Sequence, residues 1–146
     1  MELKDFQKEQ AIACFNKTWN YIDMAERSAK DDLEMIHCAH TSRYLWGLVG
    51  TPLHHERGEW QVAKVYTLLG KGEQALYHAQ NCLDICLSEG IADFDLAFAY
   101  EGLANAHKVL GNTDLVKSYK EKALIAAESI EKAGDKDYTL GEIVKI

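Results

Sequence analysis

Residues 37–46 read HCAHTSRYLW, and four of the six histidines, His37, His40, His54 and His55, fall between Met35 and His55, a stretch that holds Arg43 and no acidic residue. Imidazoles so gathered can do three kinds of work. His37 and His40, three residues apart on a helix, can share a metal ion, but a stable site needs a third or fourth ligand and the pair lacks the HExxH pattern of a hydrolase. As acid–base catalysts they need a partner in reach, and Glu59, His78 and Glu101 are the candidates. As neutral hydrogen-bonding groups they belong in a core or an interface. The surrounding helix favours an interface. Leu33, Ile36, His37, His40, Tyr44 and Leu48 share one face, while Met35, Cys38, Ser42, Leu45 and Val49 share the other. A helix apolar on both sides needs two covering surfaces, and a second copy of the chain would supply one. The expectation is a homodimer with His37, His40, Arg43 and Tyr44 at its surface of self-association, weakened when the histidines are protonated.

Gly70-Lys71-Gly72 poses a second chemical question, because glycines beside a lysine can cradle a phosphate. The stretch follows a helix rather than a strand and lacks the spacing and hydroxyl of GxxxxGK[ST], so it reads as a bend between helices. The cysteines, Cys14, Cys38, Cys82 and Cys86, form no CxxC pair. They read as small buried hydrophobes in a reducing compartment, and neither a metal nor another cofactor is expected.

These groups are carried by helices. In 146 residues there are one proline and ten glycines, and 47% of the residues are hydrophobic, enough for one all-α domain with its own core. A net charge of −7 without a basic stripe excludes nucleic acid and favours a cationic partner. No run approaches the roughly 20 apolar residues of a membrane span, and the N-terminal segment has no secretory apolar core. The chain is expected in the cytoplasm. Apolar spacing places six helices at about 5–28, 32–48, 53–69, 73–88, 94–110 and 114–131. Asp31, Thr51, Asp93 and Thr113 are the expected N-caps, and Gly50, Gly70, Gly90 and Gly111 the left-handed stops. The tail, residues 134–146, suits a short element capping the last hairpin.

Shifting the chain by 41 residues lays VAKVYTLLGKGEQALYHAQNCL, residues 62–83, over LANAHKVLGNTDLVKSYKEKAL, residues 103–124, and Trp19 over Trp60. The glycines are repeat punctuation. Val62-Ala63, Tyr66, Gly70 and Ala75 resemble the tetratricopeptide repeat, a pair of antiparallel helices, and Leu103-Ala104 with Gly111 continue the pattern, His107 standing in place of the tyrosine. The resemblance implies hairpins stacked into a right-handed superhelix whose first helices line a concave groove. It also implies, as partner-binding residues, Arg57, Trp60, Lys64 and Phe98 with Glu101, Asn105 and Lys108. The function so implied is non-enzymatic: a protein or peptide segment held in the groove. The alternative is a metal- or small-molecule-binding protein or enzyme built on His37 and His40.

Overall fold

The computed structural model describes every residue, Met1–Ile146, and folds the chain into seven helices without a strand. They are α1 (Leu3–Ile22), α2 (Ala29–Val49), α3 (Pro52–Leu68), α4 (Gly72–Glu89), α5 (Asp93–Leu110), α6 (Thr113–Glu128) and α7 (Ala133–Ile143). The chain is all-α, as its composition predicts, and the tail supplies the seventh helix. None of them is long and apolar enough to cross a membrane.

Local chemistry fixes the breaks. The first helix stops at Ile22, short of the expected 28, because Ser28 rather than Asp31 caps α2. The Asp31 N–H donates to Ser28 Oγ at 3.1 Å and the Ser28 N–H to Asp31 Oδ2 at 3.0 Å, a capping box that satisfies two backbone donors at once. Asp93 and Thr113 likewise fall inside their helices, with Ala92 and Asn112 at the caps. Gly70, Gly90 and Gly111 take φ of 72°, 66° and 78°, the left-handed stops expected of them. Gly50 does not. Its backbone is extended, at φ −101° and ψ −168°, and the need for glycine there is spatial: a Cβ would sit 2.8 Å from Trp46 Cε3 and 2.9 Å from His54 Cβ. Those two rings stack 4.0 Å apart, so the α2–α3 turn is built around them.

Adjacent helices run antiparallel, α1 with α2, α3 with α4 and α5 with α6. The backbones of α1 and α3, of α3 and α5, and of α5 and α7 also approach one another, whereas those of α2, α4 and α6 do not. The odd-numbered helices thus form one continuous layer. Small side chains allow it: Ala63, Ala79, Ala99, Cys82 and Cys86 are buried with Leu83 and Leu103 where α3, α4 and α5 meet. Ile143 of α7 is fully buried against Ala97, Ala123, Ala127 and Ile130, so the tail covers the last hairpin. At the other end, Ser42 Oγ donates to the Ala11 carbonyl at 2.8 Å and Gln61 Nε2 to the Phe15 carbonyl at 3.0 Å, tying α1 to α2 and α3.

One face of α2 is covered, through Met35, Cys38, Ala39, Ser42 and Trp46. The other stays open at Leu33 (52% exposed), Tyr44 (68%) and Leu48 (49%).

A methyl group added at Gly70 meets nothing within 4 Å, so the cost of Gly70→Ala is the left-handed backbone alone. Urea unfolding should show a loss of about 1 kcal/mol, with Gly70→Asn less affected because Asn tolerates that region. Equal stability of Gly70→Ala and wild type would contradict this account of the turn.

Candidate functional site

The layer of odd-numbered helices encloses one side of a groove of about 390 Å³. Helix α1 and its C-cap contribute Phe15, Trp19, Ile22 and Asp23, and α3 contributes Glu56, Arg57, Trp60 and Lys64. Phe94, Asp95, Phe98 and Glu101 come from α5, Tyr138 and Glu142 from α7, and Cys82 of α4 reaches the floor. The 41-residue register becomes spatial here. Positions 19, 60, 101 and 142 are equivalent in it, and Trp19, Trp60, Glu101 and Glu142 stand in line along the groove. Trp19 stacks on Trp60 at 5.9 Å, and Trp60 Nε1 donates to Glu101 Oε1 at 3.2 Å. Phe98 meets Trp60 edge-on at 5.7 Å and lies 6.2 Å from Tyr138, which extends the aromatic wall onto α7.

One ion pair and two buried carboxyls give the groove its polarity. Arg57 donates from Nε and from an Nη to the two oxygens of Asp95, at 2.9 and 3.0 Å, with its guanidinium 5.4 Å from the centre of the Phe94 ring. This bidentate pair uses two of the arginine's N–H donors. The pair also ties α3 to α5, and Arg57 lines the groove as expected. Beside it Glu56 is buried, and burial, then Asp95 and Cys86, push its carboxyl up to about 11, so it is neutral at pH 7. The Cys86 thiol donates to Glu56 Oε2 at 3.0 Å. Glu101 is 5% exposed. Burial pushes it up to about 7, Glu142 adds to the rise, and Lys64, the Trp60 N–H and Asn105 oppose it.

Of the seven groove residues expected from sequence, Arg57, Trp60, Lys64, Phe98 and Glu101 line the cavity. Asn105 stands behind it as a hydrogen-bond partner of Glu101, and Lys108 lies exposed outside it. Sequence reading missed Phe15, Glu56, Asp95, Tyr138 and Glu142. Shifting the expected positions by 41 residues into α1 and α7 would have found Glu142, 41 after Glu101, and also Trp19 and Asp23, 41 before Trp60 and Lys64.

The four residues expected at a self-association surface divide. His37 and Tyr44 are exposed, whereas His40 and Arg43 are engaged within the chain. His40 Nε2 shares a 2.8 Å hydrogen bond with the Tyr66 hydroxyl, and its ring lies 5.4 Å from that of His78. Burial, then His78, holds the His40 imidazole below its ordinary value. Arg43 Nε donates to Glu59 Oε2 at 2.9 Å, while Glu59 Oε1 accepts from His78 Nδ1 and Asn81 Nδ2, each at 3.2 Å. Burial alone would raise Glu59, but His78, Arg43 and Asn81 together hold it below the usual carboxylate range. Of the proposed acid–base partners, Glu59 and His78 join this network and Glu101 belongs to the groove. Arg43 finds its acid in α3, so it does not add to any repulsion between histidines. No three of the histidines and acids here converge as metal ligands; Glu56, Cys82 and Cys86 do.

Glu101 carries a pH signature. Its folded pKa lies above its unfolded value, so the native state binds the proton more tightly and stability falls as pH rises from about 4.5 to about 7. Glu101→Gln should remove that part of the slope, which chemical unfolding at successive pH values measures against wild type. Identical slopes in the two proteins would show that Glu101 ionises freely.

Comparison with family models, with curated proteins and with solved structures finds no match for this chain.

Proposed function

We propose that this chain is a non-enzymatic, tetratricopeptide-like interaction module that holds an extended, basic segment of a partner protein along the groove of its odd-numbered helices. The observation that carries this reading is the line of two stacked indoles followed by two carboxylates, Trp19, Trp60, Glu101 and Glu142. A row of half-buried aromatic faces accepts apolar stems and cationic heads alike, and the acids favour the cationic ones. Arg57 being committed to Asp95, Lys64 is left as the groove's free cation, and the chain as a whole carries a net charge of −7. Four cysteines without a disulfide suit the reducing cytoplasm.

Peptides selected from a random library on the intact protein should be rich in Lys and Arg next to apolar residues. Their affinity should fall by about 2 kcal/mol in Phe98→Ala, as for a central aromatic contact, and further in Glu142→Lys. Tyr77→Ala and Ile125→Ala, on the exposed faces of α4 and α6, should leave binding unchanged. Equal losses from those two controls would defeat the groove reading.

The exposed stripe of α2, with Leu33, His37, Tyr44 and Leu48, favours a second reading alongside the first: two copies pair through it. Burying such side chains is worth about 25 cal/mol per Å². Sedimentation should then give a dimer that Tyr44→Glu and Leu48→Glu each dissociate. A wild-type monomer at high concentration would rule the pairing out.

A further inference from the structure

Glu56, Cys82 and Cys86 meet at the floor of the groove with one ligand atom from each, all within 4.8 Å of one another, and all three residues are buried. Cys82 and Cys86 lie one helical turn apart on α4 and present both sulfurs to the same side, while Glu56 faces them from α3. A tetrahedral zinc site has Zn–S distances of about 2.3 Å and Zn–O distances of about 2.0–2.2 Å, so its ligand atoms stand roughly 3.5 Å apart. The present spread, up to 4.8 Å, has to tighten toward that spacing. The carboxyl and the nearer thiol are already closer, at 3.0 Å.

The hydrogen bond that Glu56 accepts within the cluster comes from a thiol, which is a weak donor. Arg57, on the same turn of α3 as Glu56, gives two of its N–H donors to Asp95. Asp95, held by Arg57, lies beside Glu56 from α5. Glu56 and Cys82 also line the groove, which gives an ion its entry path.

We propose that Glu56, Cys82 and Cys86 form a binding site for a zinc-type divalent cation, with the Asp95–Arg57 pair beside it and a fourth position open to the groove. Two sulfur ligands select a borderline-soft ion over magnesium or calcium, which take oxygen alone. The three ligands bind as carboxylate and thiolates, and the protons that they hold leave to solvent as the ion enters. Three protein ligands with one open position leave room for water or for a donor atom of a bound molecule. The site stands whether or not the groove takes a peptide.

Cobalt(II) titration of the full chain under reducing, anaerobic conditions tests the assignment. One equivalent should produce the visible bands of a tetrahedral ion and a near-ultraviolet charge-transfer band of two thiolates, both abolished by one equivalent of zinc. Cys86→Ser should weaken the charge-transfer band, and Cys82→Ser with Cys86→Ser should remove it. Glu56→Gln should keep the two-thiolate band but weaken binding at least about ten-fold, the loss that even an outer partner's removal causes. Cys14→Ser with Cys38→Ser should change nothing. Zinc should raise the melting temperature of wild type and leave that of the Cys82/Cys86 double variant where it is. A folded wild type that takes up no stoichiometric cobalt overturns the proposal. So does a band that vanishes with Cys14 and Cys38. Should the double variant fail to fold, unchanged affinity in Glu56→Gln overturns it as well.

Discussion

The close approach of α3 to α5 is the constraint from which the rest of the structure follows. Trp60 lies over Gly102, where a Cβ would sit 3.4 Å from the indole, and Ala63, Ala79 and Ala99 thin the layer beneath. Larger residues there would separate the two helices. The Arg57–Asp95 pair and the Trp60–Glu101 hydrogen bond both span this contact, and each needs it at its present distance. Because the odd-numbered helices touch in series and the even-numbered ones do not, the chain has one side that gathers side chains and one that spreads them. The groove belongs to the gathered side.

The same contact explains why acids are buried in a chain with a formal charge of −7. Glu56, Glu59, Asp95 and Glu101 are all nearly inaccessible, and each is managed differently. Glu59 is ionised among Arg43, His78 and Asn81; Asp95 is paired with Arg57; Glu56 keeps its proton; Glu101 sits near the balance point at neutral pH. Removing one partner of such a pair costs more than the pair itself contributes, because the remaining charge is stranded. The buried polar groups therefore fix the register of the helices more than they add to stability.

What the sequence made legible was what depends on neighbours along the chain. Gly70, Gly90 and Gly111 stop helices because a left-handed φ is a local demand, and five of the residues implied by the resemblance to a helical repeat line the groove. Ser28 was missed as a cap because Asp31, three residues on, has the same capping chemistry, and the reciprocal pair of bonds decides between them. The pairing of Arg57 with Asp95, 38 residues away, and of Arg43 with Glu59 depends on which helix faces which. Periodicity carries no such information. Two-sided apolarity in α2 was correctly read, yet only one side is covered within the chain, since hydrophobic pattern says that a face needs cover and not where the cover comes from. Cys82 and Cys86 are buried, as read from sequence, but the carboxyl that they meet arrives from another helix, which local pattern does not show.

The stack of Trp19 on Trp60, at 5.9 Å and 28°, joins α1 to α3 across the mouth of the groove. Two indoles so near and so nearly parallel couple their excited states, which gives the pair a paired-sign band in circular dichroism that neither ring has alone. Trp46, pressed flat against the His54 imidazole, is outside that pair and answers instead to the imidazole's charge. The chain therefore carries two built-in optical reporters. One senses the spacing of the first two odd-numbered helices and the other the turn at Gly50, so opening of the groove and loosening of the first hairpin can be followed separately, without a label, in one unmodified protein.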